Sequence, residues 1–203
     1  MKIICIGLNY IDHAKEFKNE LPDKPVFFIK PDSALLINNK PFFLPDFTKD
    51  MHHEVEIIIK INRLGKNIAK QFAHRYYNEI GIGIDFTARD LQNECRAKGM
   101  PWEISKAFDG GAVVGSFLEK SVFNDLNNIQ FHLDINGKTV QLGHTKDMVF
   151  KINEIISYVS QFMTLKIGDI IFTGTPAGVG KVNINDCLKA YIGDQLLLDF
   201  SIK

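Results

Sequence analysis

The sequence predicts a β-rich α+β fold in a single domain. Strand candidates outnumber helix candidates along the 203 residues, and the two do not alternate regularly, which argues against a doubly wound sheet. A chain of this length with 45% hydrophobic and 24% charged residues can bury one sizeable core, so disordered and fibrous classes are excluded. We therefore expect one domain over residues 1–203.

Short apolar runs bounded by Gly, Pro or polar residues predict the strands. In the first half of the chain they cover residues 2–6, 26–31, 54–61 and 80–85. In the second half they cover residues 129–135, 138–142, 169–173 and 195–202. The pair Asn136-Gly137 lies between two of these runs and predicts a hairpin turn.

Helical spacing of apolar residues predicts four helices. They are expected at residues 9–20, 69–77, 87–99 and 152–162. The second should be a surface helix with Phe72 and Tyr76 inward. The third should begin at Thr87 in a capping-box-like pattern and end at Gly99.

Composition and missing motifs exclude several function classes. The 24 basic and 24 acidic residues cancel, which disfavours nucleic-acid binding. Cys5, Cys95 and Cys187 lack metal-ligand spacing and suit reduced thiols. The N-terminal apolar run is too short for a signal peptide or membrane span, so we expect a cytoplasmic protein without membrane partners. The chain also lacks the phosphate-binding loop, the dinucleotide-binding fingerprint, the HExxH motif of zinc proteases and the GxSxG nucleophile elbow.

The strand predicted over 54–61 begins with two glutamates on one face. Side chains alternate along a strand, so Glu54 and Glu56 point the same way, while Val55 and Ile57 face the opposite side. Two ionised carboxylates in an apolar strand are unfavourable unless a cation or strong hydrogen bonds compensate them. A divalent metal would do so. The alternative is an edge strand with both glutamates facing water.

A third carboxylate ends the strand predicted over 80–85. Arg89 and Gln92 follow Asp85 at spacings of four and three residues, so the three side chains can face one spot. If Asp85 joins Glu54 and Glu56, the result is an all-oxygen site that favours Mg²⁺ or Mn²⁺ over Zn²⁺. The alternative is a strand-end carboxylate with local turn bonds.

Two further groups are candidates for proton transfer and charge stabilisation. His13 and Glu16 lie three residues apart, so the carboxylate can orient the imidazole as a general base. A surface His–Glu pair is the alternative. Lys106 lies between Trp102 and Phe108, where an ammonium in apolar surroundings could stabilise developing negative charge. A solvated lysine is the alternative.

Motifs throughout the chain resemble those of the fumarylacetoacetate hydrolase family. They are GLNY at 7–10, FIKP at 28–31, HHEVE at 52–56, DFTARDLQ at 85–92, PWEISKAFD at 101–109 and GDIIFTGTPAGVG at 168–180. The resemblance implies a mixed β-roll with a few flanking helices, and homodimers. Within the family, the stretch from 85 to 102 is most similar to the acylpyruvase and oxaloacetate decarboxylase branch.

The resemblance also implies a role for each candidate residue. Glu54, Glu56 and Asp85 would bind Mg²⁺ or Mn²⁺. Four more would serve at the substrate: Lys106 in catalysis, and Arg89, Gln92 and Thr175 in binding. His13 and Glu16 would form a catalytic dyad on a mobile lid, at about residues 10–22.

The activity implied by the resemblance is cleavage of a carbon–carbon bond in acylpyruvates. The products would be pyruvate and a carboxylic acid, formed through a metal-stabilised pyruvate enolate, and oxaloacetate decarboxylation would use the same enolate. Two alternatives stay open. One is an isomerase or hydratase of keto acids from aromatic catabolism, and the other is a catalytically silent metal-binding protein.

Overall fold

Three β-sheets with short flanking helices make up the described part of the chain, in agreement with the predicted β-rich α+β class. The structure is a computed structural model that describes residues 1–16 and 21–203. The strands are β1 (Ile3–Gly7), β2 (Val26–Lys30), β3 (Leu35–Leu36), β4 (Met51–His53), β5 (Val55–Ile61), β6 (Tyr77–Asp85), β7 (Thr87–Ala88), β8 (Ala112–Glu119), β9 (Gln130–Ile135), β10 (Lys138–His144), β11 (Ile170–Phe172), β12 (Gly180–Lys181), β13 (Cys187–Ile192) and β14 (Gln195–Ser201). The helices are α1 (Ile11–Glu16), α2 (Arg89–Lys98), α3 (Glu103–Lys106) and α4 (Ile152–Phe162).

A seven-stranded sheet in the order β2-β1-β11-β5-β6-β8-β3 carries the centre of the protein. Strand β5 lies in the middle of this sheet, between β11 and β6, so the edge-strand alternative for the acidic strand is wrong. Ile57 and Ile59 pack in one hydrophobic cluster and Ile58 packs in a second. Burial on both faces explains why β5 is an almost continuous apolar run.

A second sheet, in the order β10-β9-β13-β14, and a small third sheet, in the order β12-β4-β7, complete the fold. The hairpin predicted at Asn136-Gly137 joins β9 to β10. Both turn residues have positive φ, 52° and 77°, as a two-residue turn of this type requires.

The segment 69–77 and the helix start at Thr87 differ from their predictions. Lys70–Arg75 is a 3₁₀ helix in which Ala73 is buried and Phe72 is 43% exposed, so the inward position predicted for Phe72 is wrong. Tyr76 is half-buried and packs against the main core, as predicted. Helix α2 begins at Arg89 without a side-chain cap, because the residue that precedes it, Ala88, has no polar side chain. Helix α1 covers only part of the segment predicted to be helical over 9–20, and residues 17–20 lie outside the described residues.

Gly83 is required where β6 passes between its neighbours. A Cβ at this position would lie 2.7 Å from the carbonyl oxygen of Val113 and 2.7 Å from Phe172 Cε1. We therefore expect Gly83→Ala to lower the free energy of unfolding by about 1–3 kcal/mol, measured by urea denaturation, because the strands must separate.

The control is Gly7→Ala, another strand glycine, whose Cβ would meet no atom closer than 4.0 Å. Its unfolding free energy should change by less than about 0.5 kcal/mol. Equal stability of the two variants would contradict the assigned packing.

Candidate metal centre and active site

Three carboxylates converge where β5 begins and β6 ends. Glu54 precedes β5, Glu56 is its second residue, and the backbone amide of Asp85 donates to the Glu54 carbonyl over 2.9 Å. One carboxylate oxygen from each of the three residues lies within 4.8 Å of the others. All three are buried. The pairing of two neighbouring strands thus brings together residues that are about 30 positions apart.

Lys106, on α3, is fixed between two of the carboxylates. Its Nζ donates to Glu54 Oε2 over 2.8 Å, to Asp85 Oδ2 over 2.9 Å and to Thr87 Oγ1 over 2.5 Å. The lysine is 2% exposed, so the solvated alternative is wrong. An ammonium has three hydrogens. All three are used here, and Lys106 therefore contributes a fixed positive charge.

A second lysine, Lys30, approaches Asp85 from the other side. Its Nζ lies 2.6 Å from Asp85 Oδ1 and also donates to the carbonyls of Phe86 and Gly111. Lys30 was not among the predicted site residues. A lysine within an apolar strand and before a proline was the available signal, but exposure at a sheet edge would give the same pattern.

Arg89 is the third cation of the cluster. Its Nη2 donates to Glu54 Oε1 over 2.5 Å, and its Nη1 donates to Gln92 Oε1 over 2.5 Å. Its Nε faces His52 Nδ1 at 3.4 Å, and His52 Nε2 lies 3.0 Å from Asp50 Oδ1. The guanidinium that was predicted to bind substrate thus already holds a carboxylate of the centre.

Neighbouring charges decide the ionisation of Glu54 and Lys106. Burial favours neutral Glu54, but Lys106 and Arg89 outweigh it and hold the pKa of Glu54 well below its usual range. Burial also opposes the charge on Lys106, but Asp85 and Glu54 outweigh it and raise the pKa of Lys106. This pair therefore stays ionised near neutral pH.

Glu56 is the carboxylate of the trio that lacks a basic partner. Among the described residues, no lysine or arginine pairs with it, and its Oε2 accepts the Gly174 amide hydrogen over 2.6 Å. Burial raises the pKa of Glu56 well above its usual range, and Asp85 and Glu54 raise it further. A buried, all-oxygen donor set with one uncompensated carboxylate fits a hard divalent cation.

His13 lines the same site, and Glu16 contacts it from outside the cavity. His13 lies on α1 and is 8% exposed, and its Nδ1 is 3.4 Å from Oε2 of the exposed Glu16, so only the carboxylate of this pair lies at the surface. Burial lowers the pKa of His13, although Glu54 and Glu16 act in the opposite direction. A neutral imidazole can accept a proton.

Thr175 is held at the site by the buried side chain of Gln141. The Thr175 hydroxyl donates to the Val55 carbonyl over 2.9 Å and accepts from Gln141 Nε2 over 2.9 Å. Gln141 Oε1 in turn accepts from the Val55 amide and contacts His53 Nδ1. Gln141 is part of a pattern, with Gly143, Thr145, Met148 and Phe150, that also resembles the family, but the sequence indicated no role for it in the site.

The predicted site residues surround one cavity of about 30 Å³. Of the predicted residues, Glu16 is absent from its lining, which is formed by Ile6, Gly7, Leu8, His13, Phe28, Glu54, Glu56, Asp85, Arg89, Gln92, Arg96, Trp102, Lys106 and Thr175. This volume has room for an ion and a water molecule.

A family model decides the classification. The model for the fumarylacetoacetate (FAA) hydrolase C-terminal domain matches residues 2–199. The chain belongs to the fumarylacetoacetate hydrolase family. This confirms the resemblance found in the sequence.

Curated relatives agree over almost the whole chain. A protein of Bos taurus called oxaloacetate tautomerase FAHD1, mitochondrial, is 39% identical over 99% of this chain and 91% of its own length. The Arabidopsis thaliana protein of that name is 39% identical over 100% of this chain and 91% of its own. The compartment of this chain stays a prediction. Every helix in the described part of the chain is too short or too polar to span a bilayer.

Solved structures of the family confirm the fold. A fumarylacetoacetate hydrolase family protein from Yersinia pestis CO92 has a TM-score of 0.96 and 37% identity, covering 100% of this chain and 93% of that one. Fumarylpyruvate hydrolase from Pseudomonas aeruginosa, in complex with Mn²⁺ and pyruvate, has a TM-score of 0.94 and 31% identity. The match covers 100% of this chain and 89% of that one.

The Glu56→Gln variant tests whether the three carboxylates bind a metal or only stabilise the fold. In wild type, Mn²⁺ at 100 times its Kd should stabilise the fold by about 2.7 kcal/mol, which is about 5–10 °C in Tm. The variant should lose most of this shift. In EDTA it should be at least as stable as wild type, because it removes a buried carboxyl group that lies beside the carboxylates of Glu54 and Asp85. Differential scanning fluorimetry measures both effects.

The control is Asp194→Asn, which removes an exposed carboxylate from the turn between β13 and β14. It should keep the full Mn²⁺ shift. An undiminished shift in Glu56→Gln would rule out Glu56 as a ligand.

Proposed function

We propose that this protein is an enzyme that enolises small 2-oxo acids, and that it interconverts the keto and enol forms of oxaloacetate. The observation that carries the proposal is the buried His13, which lines one cavity with three carboxylates that suit a divalent metal. The tautomerase name of curated relatives, at 37–39% identity over 99–100% of the chain, supports the choice of reaction.

Glu54, Glu56 and Asp85 would hold Mg²⁺ or Mn²⁺, which supplies a Lewis acid for the carboxylate and keto oxygens of the substrate. The side chains around it fix this arrangement. Lys106 and Arg89 orient Glu54, and the positive charge of Lys106 favours negative charge that develops on the keto oxygen.

His13 is the proposed proton carrier. It accepts a proton from C3 of the keto form, and that proton returns to the C2 oxygen as the enol forms. If Nδ1 carries the hydrogen that faces Glu16, then Nε2 is the nitrogen that accepts the proton, and Glu16 stabilises the imidazolium that results. Burial lowers the pKa of His13 and so favours the neutral imidazole that the first of these steps needs.

Cleavage of acylpyruvates is the second candidate activity. The structural similarity to a fumarylpyruvate hydrolase that holds Mn²⁺ and pyruvate favours it. In that reaction His13 would activate water, which attacks the distal carbonyl, and the bond between that carbonyl and C3 breaks to leave pyruvate enolate. Decarboxylation of oxaloacetate yields the same enolate without an attacking water.

His13→Ala should separate these activities. Keto–enol interconversion of oxaloacetate and hydrolysis of acetylpyruvate should each fall by about two to four orders of magnitude, because both need a base. Decarboxylation should fall much less. Loss of enol absorbance, acetate release and pyruvate release measure the three rates in parallel.

Two further variants complete this experiment. Glu56→Ala should abolish all three activities, since it removes a proposed metal ligand. His74→Ala alters an exposed histidine outside the cavity and should leave every rate within about twofold. An equal loss of all three activities in His13→Ala would count against a proton-transfer role for this residue.

A further inference from the structure

The face of α2 that lines the cavity carries a second arginine. Arg89, Gln92 and Arg96 all line it, at spacings of three and four residues, so they lie on one side of the helix. Arg96 is two turns beyond Arg89, a rise of about 10 Å. Helical side chains lean toward the N-terminus, so Arg96 leans back toward the metal centre.

The two arginines differ in what they already bind. Arg89 donates to Glu54 and Gln92 within the centre. Arg96 is exposed at the rim, and among the described residues no aspartate or glutamate forms an ion pair with it. Partial burial and the charge of Arg89 lower its pKa, although Glu54 acts in the opposite direction. The charge of a bound anion would offset both lowering effects.

An aromatic ring holds Arg96 in position. The guanidinium carbon lies 5.3 Å from the centroid of the Trp102 ring, and Trp102 in turn packs edge-on against Phe28 at 5.8 Å. Both rings line the cavity. A guanidinium stacked on a ring keeps its N–H donors at the edge, where they can bind a carboxylate through two parallel bonds.

We propose that Arg96, stacked on Trp102, is a specificity-determining residue that binds the second carboxylate of a 2-oxo dicarboxylate whose first carboxylate lies at the metal centre. The proposal rests on the function proposed above and goes further, because it assigns the recognition of the distal end of the substrate. Dicarboxylates such as oxaloacetate should therefore be preferred over monocarboxylates such as acetylpyruvate.

Arg96→Gln tests the proposal in kinetics. The variant should raise KM for oxaloacetate about 10-fold to 100-fold with little change in kcat, and should leave KM for acetylpyruvate within about twofold. Arg96→Lys keeps the positive charge but not the planar guanidinium, and its KM for oxaloacetate should lie between those of wild type and Arg96→Gln. Glutamine is a good helix former, so an exposed position on α2 should tolerate it.

Calorimetry with unreactive ligands tests the same contact without turnover. In the presence of saturating Mn²⁺, wild type should bind malate at least about 10-fold more tightly than lactate, and Arg96→Gln should bring this ratio close to one. The matched control is Arg75→Gln, which removes an exposed arginine stacked 5.0 Å from the Phe72 ring outside the cavity. It should change neither KM nor the ratio.

The outcomes distinguish this proposal from the proposed function. If wild type converts both substrates and Arg96→Gln affects them equally, or if the malate-to-lactate ratio is unchanged in the variant, the role of Arg96 is refuted while the function stands. If neither substrate is converted but the malate-to-lactate ratio depends on Arg96, the carboxylate subsite is supported and the proposed function is refuted.

Discussion

The balance of buried charge at the end of β5 and β6 is the interaction on which the rest of the structure depends. Three carboxylates meet three basic side chains there: Lys30, Arg89 and Lys106. Burying an unpaired charge is very costly, whereas a paired and hydrogen-bonded group is tolerated. The cluster therefore constrains the places of β2, α2 and α3, which supply the three basic side chains.

This balance also bears on the charge of the substrate proposed above. If all six side chains are ionised, their charges sum to zero, and a divalent cation would give the cluster a net charge of two. That charge suits a dianion better than a monoanion. Arg96 at the rim adds to it, so the electrostatics of the centre and of the proposed subsite favour the same class of substrate.

The acidic trio could be predicted from the sequence because its signal is local. Alternation along a strand placed Glu54 and Glu56 on one face, and Asp85 ended the next predicted strand. Whether they meet depends on register, which no spacing reveals, and here strand pairing aligns Val55 with Ile84. The resemblance to a family supplied what the local pattern could not.

Other parts of the fold were hidden by weak or ambiguous patterns. Strand β8 follows Gly110-Gly111 and contains Gly115, and glycines weaken the apparent strand propensity of such a segment. Lys30 looked like an ordinary strand-end lysine, because only the tertiary structure places its ammonium against Asp85. The hydrogen bond from Lys106 to the Thr87 hydroxyl likewise joins residues that are 19 positions apart, so no local pattern indicates it.

Anomalous diffraction from crystals soaked in Mn²⁺ tests the central claim most directly. We expect one peak per chain, at about 2.0–2.3 Å from a carboxylate oxygen of Glu54, of Glu56 and of Asp85. A peak elsewhere, or no peak at Mn²⁺ concentrations that stabilise the protein, would contradict the account.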